Sequence, residues 1–151
     1  MPAFAGCPLV IIPSMGDAVQ LQWRGDFTNE EVNRLHADAF EHRPLDDDWR
    51  AVTDRHSLGW VTARQHGELV GFVNLIGDGT VHAWIQDLIV ASRARRQGIG
   101  VGLLRVATEG ARAAGCEWLH VDFDDHLRAF YIEAAGFTPS NAGLIDLTTI
   151  D

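Results

Sequence analysis

The sequence predicts one mixed α/β domain, a β-sheet with helices packed on it. Three observations carry that expectation. The chain has 151 residues, 46% of them hydrophobic, which is enough for one buried core and too short for two ordinary domains. No internal repeat, low-complexity tract or Pro/Ser-rich linker divides it. Hydrophobic periodicity alternates between two and about 3.6 residues along the chain, with glycine-rich turns between.

Residues 1–18 read as an N-terminal arm or leader strand, and residues 19–151 as the domain proper. Leu9 to Ile12 is apolar, but no basic residue precedes it as in a signal peptide. Val19 to Trp23 alternates and forms a first strand. Thr28-Asn29-Glu30-Glu31 spells a capping box, followed by Val32, Leu35, Ala39 and Phe40 at helical spacing, so a helix covers Asn29 to Phe40. A shorter helix covers Asp46 to Asp54, entered through Pro44. Strands Leu58 to Arg64 and Glu68 to Ile76 flank a His66-Gly67 turn. Gly77-Asp78-Gly79 then leads into a third strand of the same antiparallel meander, Thr80 to Val90. From Gly98 the apolar residues Ile99, Leu103, Val106, Ala107 and Ala111 repeat every three to four positions, and that helix ends near Gly115. A strand over Cys116 to Phe123, a short helix over His126 to Ala135 and a closing strand over Leu144 to Ile150 complete the order.

Charge excludes several functions. Twenty-one acids face 12 basic residues, all of them Arg, for a net charge of -9. A general nucleic-acid binder would be basic, and anionic lipid would need clustered cations. Without lysine, neither Schiff-base nor P-loop chemistry is available. Two cysteines, Cys7 and Cys116, make no disulfide framework or zinc spacing. No apolar run reaches membrane-spanning length. The expectation is a soluble, cytoplasmic protein without a metal.

One turn carries chemistry. After Val90 comes Ala91-Ser92-Arg93-Ala94-Arg95-Arg96-Gln97-Gly98-Ile99-Gly100-Val101-Gly102. Helix N-termini present unpaired N–H groups and a positive dipole end. Three alternate glycines are expected to remove the Cβ atoms that would hold phosphate oxygens away, and the arginines add charge. Residues 91 to 105 hold four arginines and no acid; the other eight arginines face all 21 acids. A diphosphate ligand is the natural inference. A dinucleotide site fits poorly: the glycines run GxGxG rather than GxGxxG, and seven residues separate them from the strand.

Arg95-Arg96-Gln97-Gly98-Ile99-Gly100 resembles the Q/R-x-x-G-x-G/A signature of the GNAT superfamily of N-acetyltransferases. Phe130-Tyr131-Ile132-Glu133-Ala134-Ala135-Gly136-Phe137 is similar to that family's F-Y-x-x-x-G-F ending, at the expected separation. The resemblance covers about Val19 to Ile150. It implies a single-domain GNAT-like fold in which the strands ending at Val90 and Phe123 splay apart around acetyl-CoA. Backbone groups of Leu88, Ile89 and Val90 would pair with pantetheine. Gln97, Gly98, Ile99, Gly100, Val101 and Gly102, with Arg95 and Arg96, would hold the pyrophosphate. Arg93 would reach the 3′-phosphate or face solvent.

The resemblance implies acetyl transfer to a primary amine by direct attack in a ternary complex. Tyr131 matches the tyrosine that protonates the CoA thiolate. Asp87, His120 and Asp122 are candidates for the base or for binding the acceptor, as is a water; His120 and Asp122 would share one strand face. Where many members carry an Asn that contacts CoA, this chain has Asp124, which cannot donate when ionised. His82, His120 and His126 lack the close spacing of a metal site. The two early helices should build the acceptor pocket, with Asp38, Glu41, Asp46, Asp47, Asp48 and Asp54 near Trp49 and Trp60, a wall suited to a cationic amine or amino-sugar. Peptide acetylation and an acyl-CoA-binding regulator with weak turnover are the other readings. The family also implies that a homodimer can form.

Overall fold

A computed structural model describes residues 9–13 and 17–149. Six strands form one mixed sheet in sequence order: β1 (Val10–Ile12), β2 (Val19–Trp23), β3 (Ser57–Gln65), β4 (Glu68–Gly77), β5 (His82–Val90) and β6 (Trp118–His120). The first five are antiparallel neighbours, and β6 joins β5 in parallel. Residues 1–8, including Cys7, and residues 14–16 lie outside the described residues, so the arm is described only at residues 9–13 and 17–18.

One face of the sheet packs on α3 (Ile99–Ala113), whose Leu103, Val106 and Ala107 are fully enclosed. Gly110 is required there: a Cβ on it would lie 2.4–2.6 Å from the Trp23 ring. The opposite face takes α1 (Asn29–Phe40) and α2 (Trp49–His56) over Phe27 and Phe72. The capping box on α1 forms as the sequence expects. Thr28 Oγ1 accepts from the Glu31 amide at 3.2 Å, and Glu31 Oε2 accepts from the Thr28 amide at 2.9 Å. Glu31 also takes both Arg64 guanidinium nitrogens at 2.9 Å, and that pairing, ahead of the Thr28 bonds, holds its pKa below the ordinary value.

Four expected boundaries move. α2 begins at Trp49 because Asp48, expected inside the helix, caps it by accepting from the Ala51 amide at 3.0 Å. β5 begins at His82 because Asp78 gathers the Thr80 amide, the Thr80 hydroxyl and the His82 amide into a turn. β6 is three residues long rather than Cys116 to Phe123; its first part is used to close α3, with the Cys116 amide donating to the Ala111 carbonyl at 3.0 Å. Finally, His126 to Ala135 is not an α-helix. It is a 3₁₀ turn (Asp125–Leu127) followed by one π-helical stretch, α4 (Ala129–Ala134). The closing strand is absent over the described residues 144–149, where Leu144, Ile145 and Leu147 are exposed.

Candidate active site

The site is built where β5 and β6 part. Their pairing runs His82↔Trp118, Ala83↔Leu119 and Trp84↔His120 and then stops. From Ile85 to Val90, β5 keeps only its β4 partner, so its other backbone edge is open. A bulge sits on that stretch: Phe72 faces Ile89 and Asn74 faces Gln86, so Asp87 and Leu88 together oppose Val73. Asp87 takes φ +52, uncommon outside glycine. Among the described residues its carboxylate makes no side-chain hydrogen bond or ion pair, and burial pushes its pKa up, partly offset by the charge of His36. An unpaired, desolvated acid on a strained bulge is a functional signature.

Beyond β5, the loop to α3 is fastened to α1. Asp38 accepts from the Ser92 amide at 2.7 Å and from its hydroxyl at 2.8 Å, and these bonds hold the Asp38 pKa low. Arg93 pairs with Glu68, so it serves the loop's own structure. Arg95 Nε points back to the Val90 carbonyl at 3.4 Å, while Arg96, at φ +63, is exposed. Gly98 caps α3 at φ +77, and nothing lies within 4 Å of where its Cβ would be. The expectation of three glycines clearing space for phosphate is corrected. A Cβ on Gly100 would meet the Phe130 ring at 3.1 Å, and one on Gly102 would meet Ile12 and Leu21 at 2.4 and 2.8 Å. Gly98 is open; the other two serve packing. The first-turn amides of α3 remain without intrahelical acceptors, as at any helix start.

The second motif meets the first in space through that Phe130 ring. The π-helical stretch, with the Ala135 amide donating to Phe130 and the Phe137 amide to Tyr131 (both 2.9 Å), turns Tyr131 inward. Tyr131 is 6% exposed, stacked on Phe123 at 5.0 Å and edged by Phe130 and Phe137. Its hydroxyl has no hydrogen-bond partner among the described residues, yet no buried polar side-chain atom there is left unpartnered. The phenol oxygen therefore opens towards solvent-reaching space. Burial pushes its pKa above the ordinary phenol value.

Over residues 19–137 the sequence matches the Acetyltransferase (GNAT) family. The chain belongs to the GNAT acetyltransferase family. No curated protein sequence matches it. Its fold is similar to that of a candidate acetyltransferase from Deinococcus radiodurans R1 (26% identity, TM-score 0.70, 91% of this chain and 94% of that one). It is also similar to an aminoglycoside acetyltransferase from an uncultured soil metagenomic sample, solved with sisomicin (16%, 0.71, 88% and 97%). Glucosamine-6-phosphate N-acetyltransferase from Arabidopsis thaliana shares the fold too (14%, 0.65, 83% and 97%).

The remaining sequence candidates of this GNAT chain scatter. His120 lies at the root of the fork, its Nε2 2.7 Å from His82 Nδ1 and its ring stacked on Trp84 at 4.7 Å. The spacing argument kept these two histidines apart because parallel pairing is not visible in sequence. No metal-binding group of three occurs among the described residues. Asp122 lies past the end of β6, so the shared strand face expected for it and His120 does not form; it is exposed, as is Asp124. The aromatic wall is also corrected. Trp49 is a core residue, donating from Nε1 to Asn33 at 3.1 Å, and Trp60 donates to the Gly25 carbonyl at 2.8 Å and packs on Phe27. Of the acids expected around the acceptor, Asp38 and Asp48 are committed to caps and loops. Sequence reasoning missed His36 and His42, whose rings meet at 2.8 Å on the α1 side, because helical periodicity gives a lone histidine no distinguishing pattern.

Proposed function

We propose that this GNAT protein transfers the acetyl group of acetyl-CoA to a primary amine of a small molecule, by direct attack in a ternary complex. The observation that carries this reading is Tyr131, enclosed by Phe123, Phe130 and Phe137 with its hydroxyl unpartnered among the described residues. The residues present fit acetyl-CoA: an open backbone edge at Leu88, Ile89 and Val90, a helix start at Ile99, Gly100 and Val101 entered through the uncrowded Gly98, and Arg95 and Arg96 alongside. Bound there, acetyl-CoA supplies a thioester carbonyl open to attack and a thiolate as leaving group.

Each residue then has a defined task. The α3 amides and Arg95 and Arg96 hold the diphosphate, with Gln97 and Gly102 shaping the turn. Asp124 lies where the family's CoA-contacting Asn stands. Tyr131 keeps its proton at neutral pH, since burial raises its pKa, and delivers it from the phenol oxygen to the leaving sulfur. Asp87 places a desolvated carboxylate at the bulge, where it binds the acceptor ammonium. His120 lies at the fork root, and Asp122 follows it two residues beyond the end of β6. Two proteins of the same fold are named for aminoglycosides and for glucosamine 6-phosphate, both amine-bearing sugars, which supports a small acceptor.

Thermal-shift titration with acetyl-CoA, followed by a free-thiol assay over glucosamine 6-phosphate, an aminoglycoside, amino acids and a peptide, tests the reading. Stabilisation by acetyl-CoA and CoA release with a small amine are expected. Absence of stabilisation overturns the cofactor assignment, and release with the peptide alone overturns the acceptor class.

A further inference from the structure

We propose that His36 is the base that takes the proton from the acceptor ammonium, and that His42 holds it in the one tautomer able to do so. This rests on the acetyltransferase reading above and adds a residue to its site. The chain of hydrogen bonds fixes the protons. His42 Nδ1 lies 2.6 Å from the Arg43 carbonyl oxygen, which can only accept, so His42 Nδ1 carries the hydrogen. In a neutral ring its Nε2 is then a lone pair. That lone pair lies 2.8 Å from His36 Nδ1, so His36 Nδ1 must donate. The remaining nitrogen of His36, Nε2, is left as a lone pair, and no hydrogen-bond partner occupies it among the described residues.

Packing holds the ring in place. His36 is half-buried, against Phe40 at 4.6 Å on its own helix and Trp49 at 5.7 Å on α2. α1 lies on β4 and on β5, the strand that carries the Asp87 bulge. The groups able to respond to its charge are Asp87 from β5 and His42 from the segment after α1, and the charge of His36 is felt at the Asp87 carboxyl. The pair divides the work: Asp87 binds the cation and His36 removes its proton. One N–H bond of the ammonium breaks, its electron pair stays on nitrogen as the nucleophile, and the proton bonds to His36 Nε2. The imidazolium keeps its Nδ1–H bond to His42, and the negative charge of Asp87 favours it at longer range. That proton leaves to water after the product departs, while the second proton, lost from the attacking nitrogen as the C–S bond breaks, replaces the one that Tyr131 gives to the sulfur. His120 lacks this arrangement, because no backbone carbonyl anchors its His82 partner in one tautomer.

The test joins a spectroscopic readout to kinetics. Nitrogen-15 NMR of the wild-type rings should show His36 as the Nδ1–H tautomer, and His42→Leu should give a mixture. With a panel amine that releases CoA, His36→Gln should lower kcat/KM about 10²-fold at neutral pH, the gap narrowing as free amine forms at higher pH. Stabilisation by acetyl-CoA should be unchanged. His42→Leu should lose about tenfold, and His42→Gln, which keeps an acceptor for the His36 N–H, should recover most of it. An Nε2–H tautomer in the wild type, wild-type turnover in His36→Gln, or an equal loss at every pH overturns the proposal. If acetyl-CoA does not bind, or no amine releases CoA, the acetyltransferase reading itself fails and this inference with it, whatever the tautomer.

Discussion

The part of the molecule up to the end of α3 and the part beyond it are built on opposite terms. In the first, Leu21, Val61, Phe72, Val73, Leu75 and Leu103 are wholly enclosed, and each strand from β2 to β4 is paired on both sides. In the second, Tyr131 is the one buried residue among those described after Ala113, β6 lasts three residues, and a π-helical stretch replaces an ordinary helix. The first part uses its residues to hold itself together. The second gives up strand pairing and regular helix, and what it obtains is an open β5 edge and one enclosed phenol. Local irregularity of this kind costs free energy and persists where it positions something.

That contrast can be broken at one glycine in each part. Gly110→Val places branched carbon against the Trp23 ring, where even a Cβ would sit 2.4–2.6 Å away. Overpacking of this type costs about 3 kcal/mol or more, read as a lowered denaturant midpoint, and activity should fall with folding. Gly136→Ala, at φ +82 with nothing within 4 Å of the new Cβ, should cost about 1 kcal/mol from backbone strain alone. If the two lose the same stability, the distinction between the parts is wrong.

Tyr131→Phe falls between them and sharpens the comparison. The hydroxyl has no partner among the described residues, so its removal should leave the melting temperature unchanged, while turnover falls about 10²-fold, or about 2.7 kcal/mol of barrier. Binding of acetyl-CoA should hold. Equal loss of stability and turnover would make Tyr131 a packing residue instead.

The same division decides what could be read from sequence. β2, α1 and the β3–β4 hairpin were legible because burial on one or two faces writes a period into the chain, and the Thr28–Glu31 box writes the helix start. The glycine turn and Tyr131 were legible as a motif pair. Their physical link was not, because Gly100 meets Phe130 only after the 29 residues between them have folded. Leu144, Ile145 and Leu147 read as a strand from composition, yet strand formation needs an edge to pair with, and residues 144–149 pair with none. Asp87 was legible as an acid near a strand end. Its bulge was not, since the register shift depends on β4.

Asp87 gives the smallest and most pointed expectation. In the unfolded chain its carboxyl ionises in the ordinary range, whereas burial raises its pKa in the folded protein. The folded state therefore holds the proton to higher pH. Any stability the group contributes is complete below the ordinary range and is lost as pH rises through the folded value. At neutral pH the ionised, unpaired carboxylate should cost stability. Asp87→Asn removes that charge at nearly constant shape and should raise the melting temperature at pH 7 by about 1–2 °C, the scale of a few tenths of a kcal/mol in a chain of this size. The gain should vanish near pH 3, measured by thermal melts across the range, while the KM for the amine rises. Asn also tolerates φ +52 better than most residues. A gain of the same size at every pH would assign the effect to the backbone, and the carboxylate would lose its standing as a strained functional group kept at the expense of the fold.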